Sequence, residues 1–171
     1  VPALHDPWAD PDALRGRRVL LAMSGGVDSS AAAVLLQRRG AHVVGLTMKN
    51  FCWSQAGADA RSCCSVQHLQ DARRVCDGLG IPHHVADTTA VFGRRVVDRF
   101  ASEYDAGRTP NPCVDCNQSV RFPQLVASAR ELGADLVATG HYVRLGRDAA
   151  GRCFLRRAHD AGKDQTYFLY G

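Results

Sequence analysis

The chain has 171 residues and a mass of 18.5 kDa, with 46% hydrophobic and 22% charged side chains. That balance excludes collagen-like, mucin-like and low-complexity disordered classes, and no apolar run approaches the roughly 18 residues a membrane helix needs. A formal charge of +4, from 21 Lys and Arg against 17 Asp and Glu, suits an anionic partner without requiring one.

Residues 1–17 are rich in Pro, Asp and Ala with no apolar period, and read as a disordered or extended lead-in. Arg18 to Met23 is a short apolar run of the kind found in a strand buried on both faces of a parallel sheet. Ser29 to Arg39 is rich in helix formers and stops at Gly40, and Ala41 to Met48 gives a second apolar run, so strand, glycine turn, helix and strand form a βαβ unit. Val66 to Leu79 carries a helical stripe closed by Gly80, and His83 to Ala86 reads as a short strand. Val91 to Tyr104 has helical spacing ending at Gly107. Arg108 to Asn117, punctuated by Pro110 and Pro112, reads as a rigid loop. Phe122 to Leu132 is a further helix, Asp135 to His141 a strand, and the alternating residues around Asp148-Ala149-Ala150-Gly151 suggest a hairpin. The alternation of strands and helices predicts an α/β fold with a doubly wound, mostly parallel sheet, Rossmann-like in class.

The string Ser24-Gly25-Gly26-Val27-Asp28-Ser29-Ser30 falls between the first strand and the first helix. Two glycines let backbone approach a ligand, and the amides of the first helical turn face it with the positive end of the helix dipole. Phosphate suits that geometry. The Lys of a Walker A loop is missing. An ordinary strand-to-helix turn explains the glycines but not the Ser, Asp and Ser beside them. His141 follows a strand end in a Thr-Gly turn, where open α/β sheets place ligands.

The seven cysteines are an odd number with no signal-peptide pattern, which argues against a secreted disulfide framework and for reactive or metal-binding thiols in a cytoplasmic protein. Cys113-Val114-Asp115-Cys116 has the spacing of metal, iron–sulfur or redox chemistry. Cys76 lies on the apolar stripe of its helix and reads as core, Cys52 and Cys153 as loop or strand residues, and Cys63-Cys64 as a structural pair at a helix start. His83 and His84 read as structural.

The phosphate string resembles the PP-loop of adenine nucleotide alpha hydrolase families, which bind ATP and cleave it between its alpha and beta phosphates. Together with Gly45 to Asn50, Arg108 to Asn117, Ala138 to Tyr142 and Lys163 to Tyr170, it resembles the tRNA-specific 2-thiouridylases from about Arg18 to Gly171. The resemblance implies ATP-dependent conversion of the wobble uridine of tRNA to 2-thiouridine. It implies ATP contacts from Ala22, Met23, Ser24, Gly25, Gly26, Val27, Asp28 and Ser29, with Met48 and Gly140 at the adenosine and Asp28 at the metal and phosphate end with Mg2+.

It also implies catalytic roles for Cys116, Cys113 and Asp28, a target-base segment at Asn111, Pro112 and Cys113, and tRNA contacts at His141, Lys163, Asp164 and Gln165. Sulfur would arrive from a donor or a cysteine desulfurase relay. Many members carry Asp where this chain has Cys113, so Cys113 and Cys116 leave open either persulfide chemistry or shared ligation of a 4Fe–4S cluster with a further cysteine. The implied organisation is a lead-in at 1–17, a PP-loop catalytic domain at 18–143, and a basic hairpin opening a tRNA-contacting segment at 144–171. Further domains of the family are expected beyond it, and the 171 residues alone are expected to bind ATP but to modify tRNA poorly.

Two other readings compete. One is a different PP-loop enzyme, either a tRNA thiolase acting elsewhere or an amide-forming ATP pyrophosphatase. The other is an RNA-binding module with a zinc site. Between Arg144 and Arg157 five arginines and one aspartate give a local +4, equal to the whole net charge. That concentration fits a phosphate backbone, and also a solvated hairpin edge.

Overall fold

The computed structural model describes residue 10 and residues 12–50 and 66–170. Cys52, expected in a loop or strand, and Cys63-Cys64, expected as a structural pair, lie outside the described residues. Four parallel strands, β1 (Arg18–Ala22), β2 (His42–Lys49), β3 (His83–Asp87) and β4 (Leu136–Ala138), form a sheet in the order β3-β2-β1-β4. The chain moves outward from β1 in one direction and returns to place β4 on its other side. The space beyond the carboxyl ends of β1 and β4 is therefore a topological switch point.

Alternation along the central strands builds two cores. Val19, Leu21 and Met23 point to one face, against Ala33 and Leu36 of α1 (Val27–Arg38) and Ala72 and Cys76 of α2 (Val66–Leu79). Leu20, Val44 and Leu46 point to the other, against Leu125 and Ala129 of α6 (Phe122–Glu131). The predicted doubly wound α/β class holds, and Cys76 is core as expected, with burial pushing its thiol pKa up. His83 is tied to Thr47 Oγ1 at 2.8 Å, beside β2.

Four local expectations change. The end of the lead-in is neither disordered nor extended: residues 12–16 form turns, Leu14 is buried in the first core, and the Gly16 amide donates to the Gly40 carbonyl. α1 begins at Val27, two residues before the expected start. β4 covers three residues of the seven foreseen. The stretch from Val91 to Tyr104 is not one uniform helix but α3 (Thr89–Phe92), a π turn (Gly93–Val97) and α4 (Asp98–Asp105).

The largest correction concerns Arg108 to Asn117, which is not a loop throughout. Asn111 is extended and its Oδ1 accepts from the Cys113 amide at 3.1 Å, Pro112 takes the first helical position, and α5 runs Pro112–Cys116. That is the helix-start pattern of an Asn cap followed by Pro, whose missing N–H costs nothing there. A π turn (Asn117–Arg121) then leads directly into α6. Cys116 packs with Phe92, Val96 and Val120 in a small third core that joins the two π turns.

The expected hairpin is present as β5 (Arg144–Arg147) and β6 (Cys153–Arg156), antiparallel and separate from the main sheet. Asp148 organises its turn by accepting from the Ala150 and Arg152 amides. A 3-10 turn (Ala161–Lys163) and α7 (Thr166–Leu169) follow. Among the described residues no helix is long and apolar enough to cross a membrane.

Candidate functional site

A cavity of about 550 Å3 opens at the switch point. One wall is the strand-to-helix loop. Ser29 Oγ donates to the Gly26 carbonyl and accepts from the Ser24 amide, and Ser30 Oγ donates to Gly26 as well, so the serines fold the loop on itself. α1 starts from Gly26 with no side-chain cap, leaving its first-turn amides to an anionic ligand. Gly25 has φ +78, and a Cβ there would stand 2.2 Å from the His68 carbonyl oxygen. Only glycine fits.

The opposite wall is the helix that carries Cys113 and Cys116. Three residues apart on a helix, they lie on neighbouring positions of one side. Cys113 is exposed and Cys116 is buried. The wide π turn brings Asn117, Arg121, Phe122 and Leu125 to the same cavity as the two thiols. Asp115, between the cysteines, is buried and pairs with Arg99 of α4 at 3.3 Å, which anchors this helix from behind.

The turn after β4 closes the third side. Gly140 packs so closely that a Cβ would meet the Ser29 amide at 2.8 Å and the Asp28 carbonyl carbon at 2.9 Å. The His141 ring meets Phe168 edge-on and Phe122 at a tilt, and its Nδ1 stands 2.9 Å from Thr139 Oγ1. Burial holds its pKa below the ordinary histidine value, and the Arg121 guanidinium adds to that shift, so the imidazole is neutral near pH 7. Tyr142 donates its hydroxyl to Asp28 at 2.9 Å, and this bond raises the phenol pKa.

Of the residues singled out in the sequence, Ala22, Met23, Ser24, Asp28, Ser29, Met48, Pro112, Cys113, Cys116, Gly140, His141 and Gln165 line this one cavity. Gly25, Gly26, Val27, Asn111, Lys163 and Asp164 do not. Gly25 and Gly26 shape the loop, Asn111 caps α5, and Asp164 turns its carboxylate to Ala158 and Thr166 of its own segment. Asn50, His68, Asn117, Arg121, Phe122 and Phe168 line the cavity without having been singled out. Asn117 and Asn50 stood inside quoted motifs and were within reach. Arg121 needs the π turn, which no periodicity announces.

The donor set bears on the implied metals. Asp28, in the first turn of α1, offers a hard carboxylate oxygen of the kind magnesium takes alongside phosphates, so the donor fits that ion. A 4Fe–4S cluster takes four thiolates. Cys113 and Cys116 supply two, and among the described residues no group of three or more His, Cys, Asp or Glu side chains could hold a metal ion. The described residues by themselves do not fit a cluster.

A parallel sheet with a glycine loop after β1 and a cavity at its switch point is an α/β fold of the Rossmann-like, PP-loop class. The sequence model of the family described as "tRNA methyl transferase HUP domain" matches residues 17–171, and the chain belongs to that family. It is 52% identical over 157 residues to the tRNA-specific 2-thiouridylase MnmA of Rhizobium johnstonii, covering 90% of this chain and 38% of the relative. It is 49% identical over 158 residues to the MnmA of Geobacter metallireducens, covering 90% and 43%. The chain thus spans about two fifths of the length of these curated relatives. Among solved structures it resembles the U34-tRNA thiolase NcsA from Methanococcus maripaludis with its 4Fe–4S cluster, at TM-score 0.53 and 22% identity over 76% of this chain and 40% of that one. That likeness supports the fold.

Proposed function

We propose that this chain is the ATP-using catalytic part of a tRNA-uridine 2-sulfurtransferase, which adenylates the 2-oxygen of the wobble uridine and replaces it with sulfur. The observation that carries the reading is that one cavity is lined by the phosphate loop and by both thiols of the Cys-x-x-Cys helix.

Expelling oxygen from carbon 2 as hydroxide is uphill, so the oxygen is first made a leaving group. The uracil 2-oxygen attacks the alpha phosphorus of ATP, the bond to the bridging oxygen breaks, and pyrophosphate leaves. Amides of Val27 to Ser29 and the α1 dipole receive the charge. Magnesium, held by Asp28, would supply further neutralisation there. Met48 and Gly140 flank the adenosine. Neutral His141, in a wall with Phe122 and Phe168, offers stacking and one hydrogen bond to the base.

Exposure divides the sulfur step between the thiols. Cys113, exposed, receives a persulfide sulfur from a donor such as a cysteine desulfurase relay. The Cys116 thiolate attacks that terminal sulfur, releasing the Cys113 thiolate. The terminal sulfur on Cys116 then attacks carbon 2, the carbon–oxygen bond breaks and AMP leaves. Cys113 thiolate attacks the Cys116 sulfur, freeing the thiocarbonyl and leaving a Cys113–Cys116 disulfide that an external thiol reductant resets. Lys163, Gln165, Asn111 and the arginines of the β5–β6 hairpin serve tRNA, and the work takes place in the cytoplasm.

The test is tRNA-dependent pyrophosphate release from ATP by the full-length gene product, with 2-thiouridine read by mass spectrometry. Both are expected. Pyrophosphate without thiolated uridine would instead favour an amide-forming or other PP-loop enzyme, and neither product would favour a metal-binding RNA module.

A further inference from the structure

We propose that the segment Gln165–Phe168 couples the phosphate loop to the thiol helix, with Tyr142 and Asn117 as positioning residues at its two ends. The proposal rests on the reading above, in which Asp28 serves the nucleotide and Cys116 delivers sulfur.

The contacts form an unbroken path. Asp28, in the first turn of α1, accepts the Tyr142 hydroxyl at 2.9 Å. The Tyr142 amide donates to Gln165 Oε1, also at 2.9 Å. The Phe168 amide donates to the Gln165 carbonyl at 3.4 Å, and the Phe168 ring meets His141 edge-on with centroids 5.8 Å apart. Asn117 Nδ2 then donates to the Phe168 carbonyl at 3.1 Å. Asn117 directly follows Cys116 and opens the π turn. Residues far apart in the chain, from 28 to 168, thus join the two walls of the cavity through one short segment.

The path has a reason to take two arrangements. Asp28 Oδ1 accepts the Tyr142 phenol. Under the proposed function the cation of a bound nucleotide draws on the same carboxylate, and a cation that takes Oδ1 displaces the phenol. Tyr142 is 40% exposed and can move away, whereas Asn117 at 4% cannot. Release of Tyr142 loosens the turn that carries His141 and, through Gln165, the carbonyl on which Asn117 is hung. Coupling of this kind requires that the ligand interact differently with two arrangements, and competition for Asp28 supplies that difference.

The experiment follows alkylation of Cys113 by iodoacetamide, resolved by peptide mass spectrometry, in the full-length gene product with and without saturating ATP. In the unmodified protein ATP is expected to change the rate by about fivefold, a common size for coupling between sites. In Tyr142→Phe and in Asn117→Ala, each held at ATP concentrations that saturate it by direct binding, the ratio returns to near one. An ATP effect that persists in both variants means direct shielding of Cys113 in the shared cavity and overturns the coupling, as does no ATP effect in the unmodified protein. If Asn117→Ala melts too low to assay, Tyr142→Phe decides alone, since its site is half-exposed. Because the readout needs no tRNA, a protein that makes no 2-thiouridine but shows the coupling refutes the proposed function and leaves this inference standing.

Discussion

The two walls of the cavity are built by different means. The phosphate wall is backbone: amides, a glycine at φ +78, and a second glycine pressed against the start of α1. The thiol wall is side chain: an Asn cap, a Pro at the first helical position, a buried Asp115 paired with the exposed Arg99, and two π turns packed around Cys116. Backbone walls tolerate no added atom, and the hydroxyls of Ser29 and Ser30 act here by holding the loop in shape. Side-chain walls yield by degrees, and their geometry is tuned by contacts several residues away. Under the proposed function the site holds a fixed anion and also moves a sulfur atom, and it gains from having one wall of each kind.

Substitutions can break that contrast, beginning with the phosphate wall. Gly25→Ala sets a Cβ 2.2 Å from a backbone oxygen in a conformation alanine resists, so ATP binding by calorimetry is expected to disappear and the melting temperature to fall. Gly140→Ala, with its Cβ 2.8 Å from the Ser29 amide, is expected to follow the same pattern. Retained ATP affinity in both would mean that the loop is not the anion site.

On the thiol wall the effects are graded. Asn111→Ala removes a helix cap worth about 1 kcal/mol, so unfolding by urea should show a loss of that order, and thiolation should slow while ATP affinity stays within a few-fold. Equal losses in both activities would erase the distinction between the walls.

Between the walls sits His141. Its folded pKa is lowered by burial, so the unfolded state binds the proton more readily. Stability is therefore expected to fall as pH drops below about 6.5 toward the folded value, since the unfolded state binds more protons than the folded one in that window. His83 shifts in the same direction, by burial first, with the Arg73 charge adding to it. Melting scans of His141→Gln should show a shallower acid limb than the parent, with part of the slope remaining from His83. An unchanged slope would place the effect elsewhere. The smallest change belongs to Cys153→Ser, on an exposed strand of the hairpin away from the cavity, for which stability and thiolation should match the parent within about 0.5 kcal/mol.

The contrast also explains what was legible in the sequence. Glycine-built geometry is written locally, so Ser24 to Ser29 and Gly140 could be located, and the alternation of buried strands and helices gave the sheet. The thiol wall was located by its spacing, but its form was misjudged. Pro110 and Pro112 suggested a loop, although Asn111-Pro112 is also a helix start, and it was that second meaning that the packing of Val114, Cys116 and Val120 selected. π turns leave no period to read, so Arg121 and Phe122 went unseen at the site. Leu14 lay in a stretch without pattern because a single buried anchor makes none.

The division of labour between the walls is tested most directly by Cys116→Ala in the full-length gene product, assayed in parallel for tRNA-dependent pyrophosphate release and for 2-thiouridine. The walls as described predict that pyrophosphate is still released while 2-thiouridine is absent. Thiolated uridine from this variant would contradict the assignment of Cys116.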